Sequence, residues 1–330
     1  MGSAISVVIP LYNKARHISR ALDSVLGQTH QDYEVVVVND GSTDGSEDIV
    51  RRYSDPRIRM VFREHVDSGG GHAARNLGIA ESRADLIAFL DADDEWLPEH
   101  LATIVRLSEK YPECGAYASA YEVVDRQHRR RRPEFRGVPP PPWEGVIRNY
   151  FCHLTKPICS STVAVPKRVF GSVGLFPVGV RRSGDSYMWW RIALNYRISV
   201  STRVGAIYYQ DADNRTGDEY TAAQLRDREQ RLRQLIDDAL KSGCLPCGVT
   251  PDDLVEYRNR SFINAAYSLA VAGSAVDARE FLRAAVSTRR HRLEWIHVLA
   301  LSFVPRSLQT ALRQIVRGRA AGKVGTALDR

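Results

Sequence analysis

Three carboxylates stand within four residues at Asp91-Ala92-Asp93-Asp94, directly after the apolar run Leu86-Ile87-Ala88-Phe89-Leu90. Like charges this close repel unless a cation or a basic ligand neutralises them. Hard oxygen ligands at a strand end suit Mg²⁺ or Mn²⁺, ions that share their coordination with substrate phosphates. The competing reading is a solvated turn in which Asp94 or a neighbour caps the next helix.

The elements that must position this cluster follow from the alternation of apolar runs. Ile5–Pro10, Tyr33–Val38, Ile58–Phe62 and Leu86–Leu90 read as strands. Between them, Ala15–Gln28, Asp44–Tyr53 and Ala73–Ser82 read as helices, and Pro98–Lys110 follows with proline early in its first turn. Strand–helix alternation of this kind predicts an α/β fold: a mostly parallel sheet with right-handed crossovers, flanked by helices. The near-continuous apolar strands suit burial on both faces. Ligands bind such sheets beyond the carboxyl ends of the strands. The polar punctuation falls there each time: Tyr12-Asn13, Asp40-Gly41-Ser42, Gly69-Gly70-Gly71 and the aspartate cluster.

Beyond residue 125 the pattern breaks. An arginine-rich stretch, Arg126–Arg136, precedes the prolines Pro139–Pro142 and reads as a loop. Ser160–Val165 and Val204–Tyr209 read as strands and Asp185–Tyr196 as a helix. After Thr221 everything reads as helix: Ala222–Lys241, Asp252–Ala272, Ala275–Ser287, Leu293–Val304 and Ser307–Arg317. A boundary near 220 therefore divides a catalytic domain, 1–220, from a helical C-terminal region, 221–330.

Composition narrows the class. With 330 residues, 44% hydrophobic and 26% charged, the chain reads as an ordinary globular protein. Its net charge of +7 fits a partner carrying phosphate. The basic residues gather in one loop and one tail rather than on a recognised module, which argues against nucleic acid. The five cysteines make no zinc pattern and read as reduced thiols. With the first strand beginning by Ile5 no signal sequence is expected, and no run reaches the roughly 18 apolar residues that span a bilayer. The expected location is cytoplasmic, on or near the inner face of the cell membrane.

Four stretches carry a resemblance. They are Val7-Val8-Ile9-Pro10-Leu11-Tyr12-Asn13, Val38-Asn39-Asp40-Gly41-Ser42-Thr43-Asp44-Gly45-Ser46, Ala74-Arg75-Asn76-Leu77-Gly78-Ile79-Ala80 and Phe89-Leu90-Asp91-Ala92-Asp93-Asp94. In order and spacing the chain resembles the family 2 glycosyltransferases, inverting enzymes of the GT-A fold that use nucleotide sugars. The resemblance covers residues 4–112 and thins out towards 216. It implies a nucleotide site built from Pro10, Tyr12, Asp40, Arg75 and Asp91. Tyr12 would stack on the base, Asp40 would accept a base N–H such as uracil N3, and Arg75 would pair with base or diphosphate. Asp91 would touch the ribose and Asp93 would hold Mn²⁺ or Mg²⁺. Asp94 would belong to the donor or metal shell. The implied partners are a nucleotide-sugar donor, UDP-sugar first and dTDP- or GDP-sugar as alternatives, and a carbohydrate or lipid-linked acceptor.

Inversion is a single in-line displacement, so one carboxylate suffices to take the acceptor proton. The family's base maps onto Asp185 in Gly184-Asp185-Ser186-Tyr187-Met188-Trp189-Trp190-Arg191, with Trp189 and Trp190 in the core and one ring lining the acceptor pocket. Relatives commonly carry Glu before this Asp, where this chain has Gly184. Relatives also carry a His near Tyr208–Thr216, whose place Asp211, Asp213, Asn214 or a water would take. These two departures motivate an alternative reading, a catalytically silent nucleotide-sugar-binding or membrane-scaffolding module.

The segment Arg289–Arg319 is rich in arginine, with Glu294 its sole acid, and its middle, Trp295–Val304, is mostly apolar. Such a segment either lies in the interface of an anionic bilayer, tryptophan inward, or docks on the catalytic domain. A bilayer would suit a lipid-linked acceptor in bacterial surface-polysaccharide assembly.

Overall fold

The computed structural model describes residues 5–65, 70–133, 138–152, 158–180, 182–212 and 220–304. Four strands form a parallel half-sheet: β1 (Ile5–Leu11), β2 (Tyr33–Asn39), β3 (Ile58–Phe62) and β4 (Leu86–Phe89), in the order β3-β2-β1-β4. Ile5, Val7, Val8 and Ile9 of β1 and Val35 to Val38 of β2 are fully buried, as strands covered on both faces must be. α1 (Ile18–Leu26) turns Ile18, Ala21, Leu22 and Val25 onto one face of this half-sheet, where α4 (His100–Lys110) adds Leu101, Ile104 and Leu107. α2 (Ser46–Arg51) follows β2. α3 (His72–Glu81) covers the opposite face through Ala74 and Leu77, against Val36 and Val38. It lies so close that a Cβ on Gly78 would sit 2.3 Å from Val8 Cγ1. Only glycine permits that approach, and the approach fixes where Arg75, one turn earlier, emerges.

Beyond β4 the sheet is mixed. The remaining elements are β5 (Glu95–Trp96), β6 (Ala116–Val124), β7 (Arg130–Arg131), β8 (Glu144–Val146), β9 (Val163–Pro166), α5 (Lys167–Val173), α6 (Gly184–Asn195) and β10 (Ile198–Tyr209). The order continues β4-β9-β6-β10-β5, with β9 antiparallel to both its neighbours and β6 parallel to β10. β5 and β8 pair antiparallel with β10, and β7 with β6. The parallel arrangement expected from the sequence thus describes the first four strands and the β6–β10 pair. β9 enters between them from a segment without strand–helix alternation. The expected strand at Ser160–Val165 is a 3₁₀ turn over Ser160–Thr162 that opens into β9.

A buried imidazole joins the two halves. His100 is fully buried, its ring 4.5 Å from that of Trp96 and its Nδ1 3.1 Å from Ser119 Oγ of β6. A side chain on Gly205 of β10 would strike both Ser119 and His100.

The chain divides into two compact units, Met1–Thr216 with Leu245–Gly248, and Gly217–Cys244 with Val249–Arg330. The second is helical: α7 (Ala222–Ser242), α8 (Pro251–Val271), α9 (Ala275–Ala284) and α10 (Arg292–Leu301). Thr221 with Gln224, and Thr250 with Asp253, close capping boxes at the starts of α7 and α8. Leu225, Phe262, Ala266, Leu269, Phe281, Leu282 and Val298 form its core. Buried Glu256 accepts Thr288 Oγ1 at 2.8 Å and the Arg289 backbone N–H at 2.7 Å, which fixes the turn into α10. Among the described residues no helix is long and apolar enough to cross a membrane. The helix expected at Ser307–Arg317 lies outside the described residues.

Burial pulls the pKa of His100 down from 6.5 to about 3. Below pH 6.5 the unfolded chain takes up a proton that the folded one refuses, so stability is full above 6.5 and declines as pH falls toward 3. Between pH 6.5 and 4 this imidazole should account for about 3 kcal/mol of lost stability. Urea unfolding of wild type and His100→Gln across that range measures it. The variant should show the shallower pH slope, and equal slopes would mean that His100 is not held neutral.

Candidate active site

The first two loops are tied to each other before any ligand arrives. Asn13, in the left-handed region at φ 50°, accepts the Thr43 N–H at 2.8 Å on Oδ1, and its own N–H donates to Ser42 Oγ. Asn39 Oδ1 accepts the Ser42 N–H at 2.9 Å. Asp44 accepts the N–H groups of Ala15 and Ser46. Burial opposes its charge, but these bonds and the one from Ser46 Oγ outweigh it and hold the carboxyl below its usual range.

Within this frame Asp40 is buried and Tyr12 is 38% exposed at the rim. Asp40 is not a lone acceptor: Arg63 donates to it, and His65 Nδ1 stands 3.4 Å away. The His65 ring stacks on Tyr12, centroids 4.1 Å apart and planes 4° apart. The motifs do not contain Arg63 and His65. Their signal is strand register, since β2 pairs Asn39 with Phe62 and so sets Arg63 beside Asp40. Pro10 lies against the start of α3, 3.6 Å from where a Cβ of Gly71 would sit.

The aspartate cluster is shared among several elements. Arg75 of α3, 5% exposed, donates to Asp91 and to Gly70 O. Lys14 Nζ pairs with Asp93 Oδ2 at 2.8 Å, and Arg20 of α1 donates to the Asp93 carbonyl. Asp94 is fully buried and accepts Ser161 Oγ and the Tyr209 N–H. Burial, with Asp93 and Asp91 adding, pushes its pKa well above the usual carboxylate value. Its oxygens are turned inward to Ser161 and to the end of β10, where desolvation favours the neutral form.

Among the described residues no three His, Cys, Asp or Glu side chains converge as a metal cluster. Of the three aspartates, Asp93 alone is not fully buried and has a carboxylate that no arginine holds, Arg20 reaching only its backbone carbonyl. A Mg²⁺ or Mn²⁺ bound through one or two carboxylates and completed by phosphate oxygens needs no more than this. Asp211 is engaged by Arg20 at 3.4 Å, with His17 at 4.0 Å. Asp213 and Asn214 lie outside the described residues.

Asp185 stands in the first turn of α6, after Ser183 at φ 60°. The Ser186 N–H donates to its Oδ1 at 2.7 Å, and the helix N-terminus favours its charge. Its field bears on Cys159, whose thiol is pushed well up by burial and then by Asp94, with Asp91 and Asp185 adding. The neighbouring Gly184 lies against His72 at the start of α3, so Asp185 stands at the end of α3 from which Arg75 reaches Asp91. It also bears on His72, the first residue of α3. Burial and then Arg75 pull that imidazole down to about 4, against the opposing pull of Asp185.

The unusual Gly184 has its explanation here. A Cβ at 184 would lie 2.2 Å from His72 Nε2, so the imidazole fills the space of the missing side chain. His72 in turn stacks parallel to Phe176 at 5.8 Å. Asn76 clamps the Phe176 backbone with two 2.9 Å bonds. Trp189 meets Phe176 edge-on at 5.8 Å. Trp189 and Trp190 are each 1% exposed. Both rings lie in the core of the first unit. Trp189 supports the aromatic stack that positions α6.

Gly184→Ala should cost about 1–3 kcal/mol of unfolding free energy, the range for a forced overpacking. The same change made in a His72→Ala background should cost far less, because the obstructing ring is gone. A double-mutant cycle by urea unfolding measures the coupling, and additivity would show that His72 does not occupy that space.

Residues 6–172 match the family model described as glycosyl transferase family 2. An uncharacterized glycosyltransferase of Nostoc is 45% identical over 106 residues, 31% of this chain and 32% of that protein. A putative teichuronic acid biosynthesis glycosyltransferase of Bacillus subtilis, TuaG, is 38% identical over 99 residues, 29% of this chain and 38% of that one. The chain thus spans about a third of the length of these curated relatives. The fold is that of TarS 1-349 of S. aureus, solved in complex with UDP-GlcNAc: TM-score 0.64 at 19% identity, over 91% of this chain and 80% of that one. With its sheet, its edge of aspartates and more than half its length matching the model, the chain belongs to glycosyl transferase family 2.

Proposed function

We propose that the chain transfers a sugar from a nucleoside diphosphate donor to an acceptor hydroxyl with inversion at the anomeric carbon. The observation that carries this reading is the pairing of Arg75 with Asp91 and of Lys14 with Asp93, with Gly184-Asp185 packed against His72 at the start of the helix that carries Arg75. Asp40 and Tyr12 take the base, a carboxylate acceptor suits a ring N–H such as that of uracil or thymine, and UDP-sugar is the proposed donor. Asp91 takes the ribose, and Arg75 and Lys14 face the diphosphate. Asp93 would hold Mn²⁺ or Mg²⁺, which when bound offsets the charge on the departing nucleoside diphosphate. Asp185 accepts the acceptor's hydroxyl proton as the oxygen bonds to the anomeric carbon and the glycosyl–phosphate bond breaks, the electron pair leaving with the diphosphate.

The silent-module reading drew on Gly184. His72 fills the place of the absent side chain while Asp185 stays at the helix start, so that departure no longer argues against turnover. The relationship to a putative teichuronic acid biosynthesis enzyme supports an acceptor in surface-polysaccharide assembly, carbohydrate or lipid-linked.

Calorimetric titration of UDP, dTDP and GDP, each with and without Mn²⁺, tests the donor site. UDP should bind most tightly, and Asp93→Ala should lower its affinity in Mn²⁺ at least about ten-fold. Asp185→Asn should leave that affinity unchanged and reduce turnover about 10²- to 10⁴-fold, read as UDP release from UDP-sugars. Absence of metal-dependent binding by every nucleotide would refute the mechanism, and full turnover by Asp185→Asn would remove the base assignment.

A further inference from the structure

The helical unit leaves one apolar stripe uncovered. On α10 and just beyond it, Leu293 is 84% exposed, Ile296 50% and Phe303 67%, and Ala300 between them is exposed as well. Positions 293, 296, 300 and 303 fall on one face of a helix. Trp295, Val298 and Leu299 face the other way into the unit's core, and Trp295 Nε1 donates to Leu282 O at 2.8 Å. The tryptophan expected from the sequence to enter an interface is therefore turned inward, and a different set of residues faces out.

Cations border this stripe. The Arg279 guanidinium stands 4.8 Å over the Phe303 ring and donates to Ser302 O at 3.1 Å. Arg289 and Arg292 are exposed. Glu294, beside the stripe, is paired with His291 at 2.9 Å, and Arg290 is balanced by Asp252 and Asp253. Beyond Val304 the sequence adds Arg306, Arg313, Arg317, Arg319, Lys323 and Arg330 against Asp329 alone.

We propose that this face docks on an anionic phospholipid surface, with Leu293, Ile296 and Phe303 in the acyl boundary and the arginines on lipid phosphates. Apolar residues on one helix face with cations beside them are the composition that seats a helix in that interface. Charge decides among the occupants. A second copy of this face would set Arg279, Arg289 and Arg292 against cations of the same kind. The chain's own residues 305–330 carry the same sign. A sheet of phosphate headgroups carries the opposite one. The inference does not rest on the transfer reaction, so vesicle binding and nucleotide binding can fail separately.

The test is co-sedimentation of the full chain with phosphatidylcholine vesicles and with vesicles in which about a third of the lipid is phosphatidylglycerol. Binding should appear with the anionic vesicles alone and weaken with added salt. Leu293→Ser with Phe303→Ser leaves the charge unaltered and should weaken binding about ten-fold. Because both residues are exposed, the variant's thermal unfolding and its affinity for UDP should match wild type. Three results would overturn the proposal: no binding by wild type to either vesicle, binding by the variant equal to wild type, or a wild-type dimer that the variant converts to monomer.

Discussion

Crowded negative charge at the end of β4 is the constraint around which the first unit is arranged. Three aspartates in one turn cannot all face the same solvent without mutual repulsion. The structure gives each a different remedy from a different element. Arg75 comes from α3 to Asp91, Lys14 from the loop after β1 to Asp93, and Ser161 with the Tyr209 N–H from the far half of the sheet to Asp94. Removing any one of these elements would leave a charge or a buried polar group unmatched, which is costlier than the bond itself is stabilising. The site and the assembly of the sheet are therefore one problem with one solution.

That coupling explains which parts were legible in the sequence. β1 to β4 are long apolar runs, and their ends carry the motif residues, so Asp40, Arg75, Asp91 and Asp93 could be placed on one edge from pattern alone. β6 could not. Its sequence, AYASAYEVV, offers alanine and serine where a strand signal needs branched or aromatic side chains. Ser119 must stay small because Gly205 and His100 press against it. The orientation of Asp94 was not legible for a related reason: adjacency to Asp93 says nothing about which way a side chain turns, and only the position of β10 decides it. Arg63 and His65 were missed because a short parallel register, not a motif, brings them to Asp40.

The departure at Gly184 shows how a local exception can be compensated at a distance. Positions 72 and 184 are far apart in sequence and touch through one ring. The imidazole is buried, and Arg75 beside it disfavours a second positive charge, so it enters the site as a neutral filler. A carboxylate at 184 would have brought another negative charge beside Asp185. Exchanging it for a neutral ring lowers the electrostatic load on Asp185 while the stack from Phe176 to Trp189 keeps α6 in place.

The same balance of charge bears on how an ion would enter. Without donor, Asp91 is balanced by Arg75, Asp93 by Lys14, and burial favours neutral Asp94, so the cluster holds little uncompensated charge. A divalent cation arriving alone would have to compete with Lys14 for Asp93 and would leave excess positive charge behind. On the proposed reading, the diphosphate of a sugar nucleotide would reverse that balance, drawing Lys14 toward phosphate and leaving Asp93 available as an oxygen ligand. Ion and donor would then each be weak ligands alone and strong ligands together. Thermodynamic reciprocity then requires that whatever factor the donor adds to the ion's affinity, the ion adds to the donor's.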